Sequence, residues 1–178
     1  GNPTLALPRN VTLAESAHQG LSDILARDAD FDPGTFILAA QDAFVIIVES
    51  FARSDRDTLK NLLSDDVYRS FENVIRNRDI SGEKVETEIH AIRRADITAA
   101  RLERNAAYIT VRFTADETCV IRNAAGQILS GHPDRVTEMV DLWTFTRDIK
   151  SKDPRWLVCE TRDGDVHEDH KTPVPDAG

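Results

Sequence analysis

Residues 36–51, FILAAQDAFVIIVESF, constrain the fold more than any other stretch of the chain. Phe36, Ala40, Phe44, Ile47, Val48 and Phe51 share one helical face, and Val45 and Ile46 widen it until two turns are apolar nearly all round. A helix of that kind has to be enclosed by other layers on both sides. Asp32 and Pro33 mark its start, an acidic N-cap followed by a proline at the first helical position, where the missing N–H costs nothing. With 178 residues, 40% of them hydrophobic, the chain can build one proper core around this helix, whereas two domains would be cramped. The longest unbroken apolar run, residues 43–48, is far below the roughly 20 residues a membrane-spanning helix needs, so the sequence reads as soluble.

Residues 1–11 hold two prolines and no period, which predicts an extended arm. From Thr12 a helix is expected, with Leu13, Ala17, Leu21, Ile24 and Leu25 on one face. Gly20 weakens it by about 1 kcal/mol relative to Ala, so it needs a surface to lie against. Its polar face sets Glu15, Asp23 and Asp28 against Arg27 alone, the wrong sign for anionic lipid. The remaining destination is a protein groove, on its own domain, on a second copy or on a client. Leu13, Leu21, Ile24 and Leu25 are therefore the candidate partner-binding residues and the candidate contact for a homo-oligomer.

Further along, Ser54 and Asp55 open a short helical turn, and Ser64 with Asp65 and Asp66 opens a helix whose face is Val67, Phe71, Val74 and Ile75. Gly82 stops it. From Lys84 the period changes to two: Val85, Thr87, Ile89 and Ala91 alternate with polar neighbours, residues 103–105 make a hairpin turn, and Ile109, Val111 and Phe113 alternate in the returning strand. Two more strands are expected near residues 136–147 and 156–161. Helices followed by consecutive strands predict an α+β fold, N-terminal helices packed against a curved antiparallel sheet. The organisation expected is an arm and amphipathic helix over 1–30, the α+β domain over 31–162, and a disordered tail over 163–178.

The net charge of −9 makes nucleic acid a poor partner, since phosphate binding wants a concentrated basic field. Only the middle third leans basic, and there Arg76, Arg78, Arg93 and Arg94 are the candidate contacts for an anionic phospholipid headgroup. Cys119 and Cys159 lack a metal or redox spacing and read as reduced, half-buried thiols. Asp28, Asp30 and Asp32 resemble the start of a calcium loop, but Pro33 stands where the turn needs glycine and Ala39 where a bidentate Glu is needed. His167 and His170 fall one residue short of a zinc-protease pair. No metal or cofactor is expected. His90, Asp96, Tyr108 and Asp141 are the candidate catalytic groups by strand position, yet no pair has a spacing that assures contact, and the reading is non-catalytic.

The run Asp141-Leu142-Trp143-Thr144-Phe145-Thr146-Arg147-Asp148, followed by Asp153-Pro154-Arg155-Trp156, resembles the C-terminal domain of subunit 44 of the mitochondrial inner-membrane translocase and its bacterial relatives. Phe31-Asp32-Pro33 with Phe36 and Ala40, Leu62-Leu63-Ser64 with Val67-Tyr68 and Phe71, Arg78 and Gly82, and Val111-Arg112-Phe113 extend the resemblance over residues 31–161. It implies a curved sheet cupping helices, a cone similar to nuclear transport factor-like proteins. It also implies a non-catalytic, inner-membrane-associated adaptor or scaffold for protein transport or membrane-protein assembly. The partner implied is a protein client or translocation component, with lipid as a second ligand. The alternative is a small-molecule or lipid-binding cone, or an isomerase- or hydratase-type enzyme in such a cone. The chain opens on Gly, which suggests an excised piece of a longer protein, a bacterial member attached to the inner membrane through a segment outside this sequence.

Overall fold

The computed structural model describes residues 7–164 and 173–178. The apolar stretch forms α2 (Pro33–Ala52), and Asp32 caps it as expected, accepting from the backbone N–H of Gly34 and of Thr35 at 3.3 Å each. Asp55 caps α3 (Arg56–Leu62) in the same way, through the Thr58 N–H at 3.2 Å. Asp65 and Asp66 occupy the first turn of α4 (Asp65–Ser81), where the helix dipole favours anions, and Gly82 ends it with φ 75°.

The period-two segment is one strand of 20 residues, β2 (Lys84–Glu103), paired along its length with β3 (Ala106–Arg122). Arg104 takes φ 57° in the tight turn between them. Register shifts between Ile89 and Ala91, Ile92 and Arg94, and Ile97 and Ala99 mark bulges, which bend a strand and increase its twist. The far edge of β3 carries β4 (Ile128–Gly131) and then β5 (Thr137–Asp148), and β6 (Leu157–Asp163) follows β5. These pairings are antiparallel. A sixth strand, β1 (Val11–Leu13), adds to β2 in parallel, so the α+β sheet is mixed, with an open rather than a closed edge.

The sheet wraps α2. Phe44 stacks on Phe113 at 4.4 Å and meets Trp143 at 4.8 Å, while Phe36 meets Phe145 edge-on at 5.6 Å and Trp156 at 4.9 Å. Ile37, Phe44, Ile47 and Val48 have no exposed surface. By length and composition alone α2 could cross a membrane; its position inside the sheet gives it another use for its apolar surface.

Residues 12–29 depart from the expected single helix. Val11, Thr12 and Leu13 are strand, Glu15–Ala17 is one 3-10 turn, and only His18–Arg27 is α-helix, α1. The reason is tertiary: the parallel ladder to Ala95, Asp96 and Ile97, extended by Ala14 N–H donating to the Ile97 carbonyl at 2.9 Å, fixes the backbone as strand before the helix can begin. The role of Gly20 changes with it. A Cβ there would lie 1.8 Å from the Ala100 carbonyl oxygen and 2.2 Å from its carbon, so glycine is what lets α1 approach the β2 backbone. We expect Gly20→Ala to destabilise the protein by about 1 to 3 kcal/mol, overpacking outweighing the gain of about 1 kcal/mol in helix propensity. Chemical denaturation checks this: an unchanged or raised midpoint contradicts the close approach.

The far end of the chain also differs from expectation. Residues 173–178 are docked, with Val174 buried and Ala177 exchanging two backbone hydrogen bonds with Thr161 at 3.0 Å each. His167 and His170 lie outside the described residues.

Candidate functional site

At the end of α2 remote from its N-cap, the helices and the sheet diverge around a cavity of about 1000 Å³. Phe51, Val74 and Arg78 line it from the helices, Glu117, Cys119 and Ile121 from β3, and residues 173–176 from the docked tail. Phe51 in turn packs edge-on against Phe71 at 5.0 Å.

Three buried polar side chains stand in this region. Arg78 is 8% exposed, with its guanidinium 4.5 Å over the Phe51 ring and a nitrogen donating to the Phe51 carbonyl at 2.5 Å. Its Nε has no partner, and burial lowers its pKa against the pull of Asp79 and Glu83. Glu117 has an unpartnered Oε2, and burial pushes its pKa up to about 7. Asp141 accepts from Trp143 Nε1 at 3.1 Å, leaves Oδ1 unpartnered, and is pushed up to about 8 by burial first, with Asp163, Glu117 and Asp176 adding to the shift. Two carboxyl groups that hold protons near neutrality could serve acid–base chemistry. Asp141, however, does not line the cavity, and α2 fills the rest of the cone.

The other acid–base candidates are not brought to it. His90 is exposed against Thr118 at 3.1 Å, Asp96 takes Thr12 at 2.5 Å and Arg94 at 3.0 Å, and Tyr108 lies under the Arg101 guanidinium at 4.1 Å. Glu117 is not among the groups expected from the sequence, although the alternation Phe113, Ala115, Glu117 places it on the inward face. Arg78 likewise continues the stripe Val67, Phe71, Ile75 onto the buried side of α4.

That burial corrects one lipid candidate: Arg78 is spent on the core and is not available to a headgroup. Arg76, Arg93 and Arg94 are exposed, each beside a carboxylate, Glu72 at 3.3 Å, Asp116 at 2.6 Å and Asp96 at 3.0 Å. The candidate partner-binding face of the N-terminal segment is turned onto its own sheet. Leu21 and Ile24 are buried there, Leu13 and Leu25 half-buried, and Asp28 at the end of α1 is held by Arg147 at 3.0 Å. Engagement of a client or a second copy by these leucines would require α1 to leave β2. Cys119 and Cys159 are half-buried free thiols, and burial raises the pKa of both, so neither is an activated nucleophile. Among the described residues no cluster of His, Cys, Asp or Glu is arranged to hold a metal ion.

A long-stranded sheet curled around an apolar helix, with a cavity at one end, defines an α+β curved-sheet fold. The family model of the Tim44-like domain matches residues 17–163, and the chain belongs to that family. Its relatives include the mitochondrial import inner membrane translocase subunit TIM44 of Mus musculus, 26% identical over 135 residues, covering 75% of this chain and 30% of the relative. The Homo sapiens TIM44 is 24% identical over the same length, again 75% of this chain and 30% of the relative. The probable translocase subunit tin-44 of Caenorhabditis elegans is 21% identical over 144 residues, 79% of this chain and 34% of the relative. The chain thus spans about a third of these relatives.

Proposed function

We propose that this domain is a non-catalytic adaptor, associated with the inner membrane, that holds a protein partner during protein transport or membrane-protein assembly. The observation that carries this is the family match over residues 17–163 to a domain found in inner membrane translocase subunits. The enclosure of α2 adds to it, because Phe44, Ile47 and Val48 are fully covered by the sheet and leave no open apolar cup along the helix. We read the chain as a bacterial member of the family, placed at a bacterial inner membrane, and its 17 Arg to 5 Lys is compatible with that reading.

The test is a pull-down from inner-membrane extract with the full-length protein, partners being identified by mass spectrometry. Enrichment of translocation or assembly components supports the adaptor; turnover of a small molecule by the purified domain with no such enrichment overturns it. Lipid is proposed as a secondary ligand through Arg76, Arg93 and Arg94. Their neighbouring carboxylates and the overall charge of −9 set the expectation of weak binding to anionic vesicles. Raising salt shortens the Debye length from about 10 Å at 0.1 M to about 3 Å at 1 M, so vesicle co-sedimentation should fall away over that range. Tight, salt-independent binding to neutral vesicles would contradict an electrostatic contact.

A further inference from the structure

A charge withdrawn from water is normally matched by one of opposite sign. Arg147, largely buried, follows that rule and is held by Asp28 at 3.0 Å. Arg78 does not. No carboxylate among the described residues lies within ion-pair distance of its buried guanidinium, and Asp79 and Glu83 supply only a longer-range attraction. Nη2 donates to the Phe51 carbonyl and, at 3.4 Å, to the Ser54 hydroxyl, whereas Nε and Nη1 have no partner among the described residues.

This unmatched cation forms part of the cavity wall, closed to a headgroup at the surface but open to a small molecule inside. The Phe51 ring covers one face of the guanidinium at 4.5 Å, so its N–H edge is what a ligand meets, and that edge suits a pair of carboxylate oxygens. Phe51, Val74, Val85, Ile121 and Val174 give the same wall an apolar lining. At about 1000 Å³ the cavity is at the upper end for small-molecule sites, and an inorganic anion would leave that lining against water. On the β3 side Glu117 keeps its proton up to a pH of about 7, so below that it presents an uncharged carboxyl to an incoming anion. Glu138 and Asp176 also border the cavity, but both are exposed, where water and salt screen them.

We infer that this cavity binds a small amphipathic carboxylate, its carboxylate paired with Arg78 and its apolar body lying along Val74, Val85 and Ile121. Such a ligand sits with its charge inward, unlike a lipid chain that enters tail-first and leaves its headgroup outside. The site goes beyond the adaptor reading and does not rest on it, since it uses neither a protein partner nor a membrane.

The test titrates the full chain with decanoate below its micelle concentration, read by isothermal calorimetry, beside 1-decanol, decylamine and inorganic phosphate. Decanoate should bind about tenfold more tightly than decanol, the margin a charge-assisted pair supplies, while decylamine and phosphate should not bind. Raising salt from about 0.1 M to about 1 M should change the decanoate affinity by less than about twofold, because a buried pair is screened little. Arg78→Gln should bring decanoate down to the affinity of decanol. Arg78 also holds the Phe51 carbonyl, so a measurement on the wild-type chain decides the matter if that variant does not fold. At about ten times its Kd, decanoate should slow alkylation of Cys119 by N-ethylmaleimide about tenfold, since Cys119 lines the cavity, and leave Cys159, which does not, unchanged. Equal affinity for decanoate and decanol would assign the cavity to an apolar chain, and binding abolished by salt would place the carboxylate at the surface; either overturns the inference. Absence of decanoate binding, or the same alkylation effect at both thiols or at neither, overturns it too. A pull-down that enriches translocation components leaves the adaptor standing whichever way these titrations fall.

Discussion

Phe44→Ala should lower the stability of the domain by about 3 to 5 kcal/mol, the range for removing a fully enclosed phenylalanine. The ring has no exposed surface and stacks between Phe113 and Trp143, side chains from two neighbouring strands. Its loss therefore opens a hole that α2 and the sheet cannot close without changing the curvature of both. At about 2 to 4 °C per kcal/mol for a chain of this size, the melting temperature should fall by roughly 6 to 20 °C. Differential scanning calorimetry decides it, and a shift of only a degree or two would mean that α2 is not what the sheet is folded around.

Stability should also fall as pH rises from about 4 to about 8. Asp141 and Glu117 have ordinary values of 3.8 and 4.5 and rise in the folded protein to about 8 and about 7. Between those limits the folded state keeps protons that the unfolded state has released. The stabilisation is full below the unfolded values and is lost as pH climbs through the folded ones. Each pH unit in that window changes stability by at most about 1.4 kcal/mol per group. Asp141→Asn should flatten the slope above pH 5, and Glu117→Gln should flatten it further. Denaturant titrations across the pH range measure this directly. A wild-type slope of zero or of the opposite sign in that window would show that both carboxyls ionise in the folded protein as they do in water.

Much of this architecture is legible in the residues. The enclosed helix, its Asp32 cap, the Gly82 stop and the period-two segments predict α2, α4 and the strands, because each depends on local pattern and on the general rule that apolar faces seek cover. What escapes local reading depends on contacts across the chain. Three residues of β1 are too few to show a period, and their partner strand lies about 80 residues away. Gly20 reads as a helix weakener until Ala100 is placed against it. The tail has a disordered composition, yet Val174 and Ala177 find a strand edge to hold them. At the cavity Glu117 and Arg78 sit on periodic inward positions, but a charge on an apolar face reads as the end of the pattern.

The order of elements along the chain has a consequence for synthesis. Helix α2 is complete at Ala52, but Phe113, Trp143 and Phe145, which seal it, come up to about 90 residues later. At about 5 to 20 residues per second, a ribosome leaves that helix without its sheet for roughly 5 to 20 s. During that interval the nascent chain displays a segment long and apolar enough to be mistaken for a membrane span. Correct delivery of the finished domain therefore depends on something shielding α2 until β5 arrives, or on the growing chain reaching its sheet before the membrane insertion machinery reaches the helix.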